Sequence, residues 1–334
     1  RSFEREKVVI FDSQYSEELI MSEPKSIAQM FGSLEVDTFL GLPMCTNLDM
    51  IEAKAAILGV PVATPYKAVG NYCANAPEAI RTAIAPWAAN LEHVDFDFGE
   101  PLFPGGQITA VDCGNLSYDE NDFAANRAAI KNAVIKMVGN GVVPVLIGGD
   151  DSVPIPMFDA FAGKGDYTIL QIDAHIDWRD EVQGERYGLS SNMRRASEMA
   201  HIKKIIQVGQ RSIGSARPSD LRDAKDWGVE FYSARDVSRD GLAPILETIS
   251  EQSNVIIALD IDGLDPSIVP GVIGRAPGGL SYWQTVELIH GVARKARLSA
   301  FNLVEFMPER DVEQLGALVC ARIIANVLGA VARR

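Results

Sequence analysis

Several features that mark common protein classes are missing from this sequence. The four cysteines are scattered, without a C-x-x-C pair or a regular spacing, so reduced thiols are expected rather than a disulfide framework. No apolar run is long enough to cross a bilayer, and residues 1–21 lack the basic-then-apolar pattern of a signal peptide. We therefore expect a soluble, unexported protein with a cytoplasmic location.

Positive charge is scarce as well, with 31 Lys and Arg against 45 Asp and Glu and a formal net charge of −14. The electric field of a protein with this negative net charge repels nucleic acid and anionic membranes, and it mildly favours the binding of cationic ligands. No G-x-G-x-x-G motif follows the early apolar runs, which disfavours an NAD-binding Rossmann protein. Neither nucleic acid nor a membrane is an expected partner.

The chain does contain an alternation of short apolar runs and longer amphipathic stretches. This order is typical of parallel strands joined by crossover helices. It predicts an α/β protein, with a single three-layer αβα domain around a mostly parallel, doubly wound sheet. The predicted strands are residues 55–60, 107–113, 142–147, 167–172, 205–208, 254–259 and 300–304. The predicted helices are residues 76–85, 121–140, 154–161, 191–198, 219–227, 242–250, 281–295 and 312–331.

The beginning of the chain differs from the rest. Residues 1–50 have weak periodicity, and we expect an N-terminal extension that packs on the domain or forms an oligomer contact. Residues 51–334 contain no internal repeat, low-complexity tract or linker, so they are predicted to form one domain.

The strongest functional signal is a set of acidic residues placed directly after apolar strands. Asp173, His175 and Asp177 follow one such run at a spacing of two, and Asp260 and Asp262 repeat the pattern after another. Side chains at a spacing of two on an extended backbone point the same way. They are therefore predicted to converge beyond the carboxyl ends of neighbouring strands, where open α/β sheets bind ligands.

A third predicted strand ends in Gly148-Gly149-Asp150-Asp151, which adds further acids at the same edge. So many carboxylates would repel one another strongly unless cations lay among them. The residue types predict two divalent metal ions, with Mn²⁺ favoured and Ni²⁺, Co²⁺ or Zn²⁺ as alternatives. Two ions that share a water lower its pKa from near 15.7 to roughly 7, which is suited to hydrolysis without a protein nucleophile.

Other acids and histidines have simpler interpretations. A lone aspartate is usually a helix cap, and Asp265, which precedes Pro266, is expected to shape a turn. His93, His201 and His290 have no acidic neighbours of this kind and are expected to be packing or surface residues.

These motifs resemble the ureohydrolase family, which includes arginase, agmatinase, guanidinobutyrase and formiminoglutamase, and its agmatinase-like branch in particular. The resemblance implies the arginase-like fold and a homotrimer or homohexamer. It runs through most of the chain, in residues 55–61, 76–81, 148–152, 173–177, 259–266, 270–271, 277–280 and 303–308.

The resemblance also implies roles for the acids. Asp173 and Asp260 would bridge two Mn²⁺ ions, Asp177 would complete one site, and His175 and Asp262 would complete the other.

Glu305 matches the acid that holds the substrate guanidinium in this family. A carboxylate that emerges from an apolar strand suits this role, because it can form a bidentate pair with a planar cation. A structural salt bridge with Arg310 is the competing interpretation.

Two positions depart from the family pattern. The family usually has histidine where this sequence has Asp151, so one metal would lose its nitrogen ligand and be held by carboxylates alone. That change would alter the metal preference or raise the pKa of the bound water. Tyr187 stands where relatives often have histidine; it would hydrogen-bond the substrate, or else simply pack.

The predicted reaction is attack of a metal-bridging hydroxide on the carbon of a small cationic guanidino substrate, giving urea and an amine. Asp177 would relay the proton to the leaving amine. The substrate tail would lie against residues 178–191, where Trp178, Arg179, Arg186 and Tyr187 would set specificity. This loop has both signs of charge, so agmatine and a guanidino acid both remain open.

Two alternatives keep the same fold. Asp151 and Tyr187 would also fit a non-catalytic or partner subunit of an active homologue. A hydrolase of a formimino or other substituted guanidine substrate is the second alternative.

Overall fold

A computed structural model describes residues 36–334 of the chain. Its central element is an eight-stranded sheet in which every pair of neighbouring strands is parallel. A two-stranded antiparallel hairpin lies outside the sheet. In chain order the strands are β1 Ala55–Gly59, β2 Val94–Asp95, β3 Glu100–Pro101, β4 Ala110–Asn115, β5 Val143–Ile147, β6 Tyr167–Ile172, β7 Ile202–Val208, β8 Glu230–Tyr232, β9 Asn254–Asp260 and β10 Arg297–Val304.

Helices cover both faces of the sheet, because its strands are apolar on both sides. Adjacent residues of β1 illustrate this: Ile57 belongs to one hydrophobic core and Leu58 to the other. The helices are α1 Ala76–Ile84, α2 Phe123–Gly139, α3 Pro154–Asp159, α4 Asn192–Ser197, α5 Pro218–Trp227, α6 Ala234–Asp240, α7 Ala243–Thr248, α8 Tyr282–Lys295 and α9 Leu315–Ala332.

The two cores separate the helices into two layers. Buried residues of α1, α6, α7, α8 and α9 belong to the first core, and those of α2, α3, α4 and α5 belong to the second. The predicted three-layer αβα architecture with a parallel sheet is therefore confirmed.

The strand order places four carboxyl ends side by side. Along the sheet the order is β4-β1-β5-β10-β9-β6-β7-β8, so β5, β10, β9 and β6 are consecutive. All four run in the same direction, and the residues that follow them meet at one edge. This is the edge where the sequence predicts a metal site.

All seven predicted strands are present, with changed ends. β4 begins at Ala110 rather than at residue 107, while β7 and β10 begin three residues earlier than predicted. The sequence prediction missed β8, α6 and the hairpin of β2 and β3. These are short, partly exposed elements, and their apolar patterns are too brief to identify them.

Residues 36–50 contact the domain through buried side chains. Phe39, Leu40 and Leu42 lie in the first core, and the backbone N–H of Phe39 donates to Asp112 Oδ2 at 2.8 Å. The prediction for residues 1–35 lies outside the described residues.

Helix α9 corrects one expectation from the sequence. By length and composition it is apolar enough to cross a membrane, contrary to the prediction that no run is long enough. Most of α9 is buried inside the protein, where Ile323, Ile324 and Val327 contribute to the first core. Its apolar character is thus explained by packing on all sides.

Candidate metal centre

Acidic side chains from four strand ends lie together in the interior of the protein. Asp151 follows β5, Asp173 and Asp177 follow β6, Asp260 and Asp262 lie at the end of β9, and Glu305 follows β10. Each of these six residues is at most 6% exposed. Ionised carboxylates are rarely buried in this way unless they are paired or bind a cation.

Two overlapping groups of donor atoms have the spacing of metal ligands. Asp173, His175 and Asp262 form one group, and Asp151, Asp173 and Asp260 form the other; within each group the donor atoms lie within 4.8 Å of one another. Asp173 belongs to both groups. The arrangement fits two adjacent divalent ions held by one shared carboxylate, with one nitrogen donor in the first group and oxygen donors alone in the second.

The electrostatics of these acids also point to cations. Burial raises the pKa values of Asp151, Asp173 and Asp260 well above their usual range, and repulsion from the neighbouring carboxylates adds to the effect. A bound cation would relieve both contributions by favouring the ionised forms.

His175 lies between two of the acids. Its Nδ1 is 3.3 Å from Asp173 Oδ1 and 3.2 Å from Asp262 Oδ2. Burial alone would lower the pKa of His175, but the hydrogen bonds with these two acids outweigh burial and raise it to about 12. These three side chains thus lie close enough together to hold one metal ion between them.

Asp177 lies beside the two groups and is held by amide donors. Its Oδ2 accepts from Gln171 Nε2 at 2.7 Å and from Asn192 Nδ2 at 3.1 Å. Its backbone has a φ of 44°, in the left-handed region that few residues other than glycine adopt. Such strain is concentrated at functional sites, and here it turns the carboxylate toward Asp151 and Asp173.

Glu305 has the same left-handed backbone, with a φ of 67°. Its Oε1 accepts from the Tyr72 hydroxyl and from the backbone N–H of Asp151 at 2.8 Å. Burial raises the pKa of Glu305 to about 8, against the opposing effect of the Tyr72 hydrogen bond. The competing salt bridge is not formed, because Arg310 Nη1 donates instead to the carbonyl of Ile273 at 3.0 Å.

Asp265 has the contacts of a turn residue. Its carboxylate accepts from the backbone N–H groups of Ser267 (2.9 Å), Gly278 (2.7 Å) and Gly279 (3.1 Å). These bonds join two loops next to the metal centre. They agree with the prediction that Asp265 shapes a turn.

Trp178 was predicted to contact the substrate, and the structure corrects this. The side chain is 2% exposed, lies in the second core and packs against Trp227 with ring centroids 6.2 Å apart. A large apolar ring next to a buried strand end is driven into the core, so it has no surface to offer a ligand.

The other predicted specificity residues lie on the surface side of the loop. Arg186 Nη2 pairs with Asp180 (3.1 Å), and Arg179 Nη1 donates to the carbonyl of Ser215 at 3.1 Å. Tyr187 is 45% exposed, and the guanidinium of Arg127 lies 5.1 Å from its ring centroid. Among the described residues, Tyr187 and Arg186 contact other residues of the protein surface and do not contact the acids of the metal centre.

Sequence reasoning missed several polar residues of the centre. Tyr72 reaches Glu305, and the Tyr66 hydroxyl donates to the carbonyl of Leu189 beside the acids. Neither tyrosine lies in a pattern that predicts a site. Gln171 and Gln207 did carry a signal, because each is a polar residue inside an otherwise apolar strand.

Comparisons with known proteins identify the family of this chain. The model of the Arginase family matches residues 53–329. The chain is 30% identical over 294 residues to the mitochondrial arginase of Medicago truncatula, covering 84% of this chain and 83% of that protein. It is 25% identical to the guanidinobutyrase of Pseudomonas aeruginosa, covering 91% and 97%.

Among solved structures, proclavaminate amidino hydrolase from Streptomyces clavuligerus superimposes with a TM-score of 0.76 at 22% identity, covering 90% of this chain and 98% of that one. That likeness concerns the fold. The family match over residues 53–329 and the 30% identity to the arginase show that this protein belongs to the arginase family.

Proposed function

We propose that this protein is a binuclear metal-dependent hydrolase that cleaves a C–N bond of a guanidino compound and releases urea and an amine. The observation that carries the proposal is the pair of overlapping buried donor groups that share Asp173. Membership of the arginase family supports the same reaction class.

The residues that would hold the ions follow from the two groups. His175 and Asp262 would bind one ion, Asp151 and Asp260 the other, and Asp173 would bind both. Asp260 belongs to one group only and Asp177 to neither, so the bridging role of Asp260 and the ligand role of Asp177 that the resemblance implies remain proposals. When bound, the two ions would supply an activated water as the nucleophile at neutral pH. We propose Mn²⁺ as the metal, since oxygen donors predominate, with Ni²⁺, Co²⁺ or Zn²⁺ as alternatives.

Glu305 would orient the planar guanidinium. Its Oε1 is engaged by Tyr72 and by the Asp151 backbone, which leaves Oε2 to accept from the substrate. A cationic substrate would also favour the ionised form of Glu305, because it compensates the burial that now disfavours it. Glu305 would therefore both attract the cationic guanidinium and fix its orientation.

Asp177 would move the proton. Two amides fix its Oδ2, so the remaining oxygen can take a proton from the nucleophile and give it to the leaving amine. Tyr187 remains a proposed contact for the substrate tail, together with Arg179 and Arg186. We propose agmatine or a guanidino acid as substrate, since the loop offers Asp180 and Glu185 for an ammonium group as well as arginines for a carboxylate.

The decisive experiment is a screen of guanidino and formimino compounds with each of the four metals, in which released urea or ammonia is measured. We expect urea from at least one guanidino compound and its loss in Asp260→Asn, together with loss of bound metal. Asp166→Asn is the matched control, because Asp166 is an exposed acid just before β6, at the opposite end of the sheet. Two bound metals without release of urea or ammonia from any compound would support a non-catalytic subunit instead.

We also propose a homotrimer or homohexamer and a cytoplasmic location. All four cysteines are free thiols, which suits a reducing compartment. Light scattering after size exclusion would measure the assembly, and a monomer at micromolar concentration would contradict it.

A further inference from the structure

Two buried amide side chains lie between the acids of the metal centre, and a third supports one of them. Asn192 Nδ2 lies within hydrogen-bond distance of the Asp151 carboxylate and is 3.0 Å from the Asp151 carbonyl and 3.1 Å from Asp177 Oδ2. Gln171 Nε2 donates to Asp173 Oδ2 at 2.6 Å and to Asp177 Oδ2 at 2.7 Å. The three carboxylates and two amides thus alternate along one hydrogen-bonded chain.

A third amide orients the second. Gln207 Nε2 donates to Gln171 Oε1 and, at 2.8 Å, to the carbonyl of Ile176. With its oxygen engaged by Gln207, the Gln171 amide must turn its N–H groups toward Asp173 and Asp177. Both glutamines are at most 1% exposed, so neither can turn to solvent.

Asn192 holds its orientation at a cost. It is 1% exposed, and its Oδ1 has no hydrogen-bond partner among residues 36–334. A buried carbonyl without a partner destabilises the folded state. The opposite orientation would place that oxygen against two carboxylates, which is worse. The carboxylates therefore fix the orientation of the Asn192 amide, and its N–H groups are the atoms that act on the metal centre.

Neutral donors suit this position for an electrostatic reason. An aspartate at position 151 brings a negative charge into a group that already contains Asp173 and Asp260. Amide N–H dipoles offset that charge without adding a full positive charge, whereas a lysine or arginine would compete with the metal ion for the same carboxylates. An imidazole at position 151 would not need such donors, because it is neutral when it binds a metal.

We propose that Asn192, supported by Gln171, is a positioning residue that holds the Asp151 carboxylate as a metal ligand. The subsite that contains Asp151 then has oxygen ligands alone. It should bind Mn²⁺ relative to Zn²⁺ more favourably than the subsite that contains His175 does. The inference rests on the metal centre of the proposed function. Imidazole favours Zn²⁺ and Ni²⁺, whereas carboxylates suit Mn²⁺, so the two subsites should differ in their Zn²⁺-to-Mn²⁺ affinity ratio.

The test is metal binding to the full chain, measured by titration calorimetry and by analysis of bound metal after dialysis, with Mn²⁺ and with Zn²⁺. Asn192→Leu removes the side-chain donors of residue 192 at nearly constant volume and leaves the backbone N–H of Ser190, which donates to Asp151 Oδ2 at 3.0 Å. We expect one of two metal equivalents to lose roughly 10- to 100-fold in affinity, as is typical when a residue that orients a ligand is removed. Circular dichroism checks folding, and Asn192→Ala is the second variant if leucine prevents it.

Asn326→Ala is the matched control. Asn326 is a buried amide in α9 that donates to another acid, Asp97, at 2.8 Å. We expect its replacement to leave both metal affinities within about twofold of the unmodified protein, because it touches neither donor group. An equal loss in this control would show that the effect of Asn192→Leu comes from general destabilisation.

Asp151→His tests the link between the two residues. We expect a higher Zn²⁺-to-Mn²⁺ affinity ratio at one equivalent, and in this background the further change Asn192→Leu should alter the affinity by less than about threefold. The proposal is overturned if folded Asn192→Leu keeps both affinities, or if its loss is as large with histidine at position 151 as with aspartate. Binding is measured without substrate, so failure to release urea would refute the proposed function and leave this inference standing.

Discussion

The buried ion pair between Arg81 and Asp112 should be essential to stability, and Arg81→Met is the perturbation that tests it. Arg81 Nε and Nη2 donate to the two oxygens of Asp112 at 2.7 and 2.8 Å, and Nη1 donates to Asn115 Oδ1 at 2.6 Å. The pair joins α1 to the edge strand β4. It also anchors the helix that follows the loop carrying Tyr72.

The magnitude follows from what remains after the substitution. Asp112 is 0% exposed, and among residues 36–334 it would keep only the backbone N–H groups of Phe39 (2.8 Å) and Gly114 (2.9 Å) as donors. Removing one member of a buried pair typically costs about 3–5 kcal/mol. We therefore expect a loss of about 3–5 kcal/mol.

The assay is urea unfolding followed by tryptophan fluorescence and circular dichroism, with all variants at one protein concentration. In Arg81→Met/Asp112→Asn the buried charge is gone while an acceptor remains for the backbone, so we expect this double variant to be more stable than Arg81→Met alone. A loss below about 1 kcal/mol in the single variant, the value of an exposed pair, would refute the reasoning. So would a double variant that is less stable than the single one.

Three further predictions concern the centre and the core. Asp173→Asn should reduce bound metal from two equivalents to at most one, because both donor groups share this residue; two equivalents by elemental analysis would contradict it. Tyr72→Phe should lower kcat/KM for the guanidino substrate by about 10- to 150-fold, since a hydrogen bond to a charged group contributes about 1.5–3 kcal/mol; an unchanged value would mean that Tyr72 does not orient Glu305. Burial lowers the pKa of His290 below 6.5, so the folded state binds fewer protons than the unfolded state and stability should be lost as the pH falls below that value. His290→Gln should therefore lose less unfolding free energy than the unmodified protein between pH 7 and pH 5, and parallel curves would contradict the assignment.

Much of the fold could be predicted from local patterns. The runs that became β5, β6 and β9 are apolar on both faces, and parallel strands covered by helices on both sides require that pattern. Short edge elements such as β8 escaped prediction, because three partly buried residues do not form a recognisable period. The run in α9 was read correctly as a helix, but its burial depends on neighbours far away in the chain.

The acids of the centre were predictable for a similar reason. Asp173, His175 and Asp177 are close in the sequence, and a spacing of two after a buried strand is a local geometric signal. Residues that reach the centre from elsewhere gave no such signal. Tyr72 and Glu305 are 233 positions apart, and Asn192 and Asp151 are 41 apart.

The amino-acid sequence by itself determined the αβα architecture, the edge of the sheet that carries the candidate metal centre and the acids that gather there. These depend on backbone periodicity and on which strands end in polar residues. Only the tertiary structure decided that Trp178 packs in the core, that Arg310 turns away from Glu305, and that Asn192 and Gln171 lie between the carboxylates. The direction of a side chain on a loop is set by the partners that long-range packing brings to it, and those partners are not encoded in its neighbours along the chain.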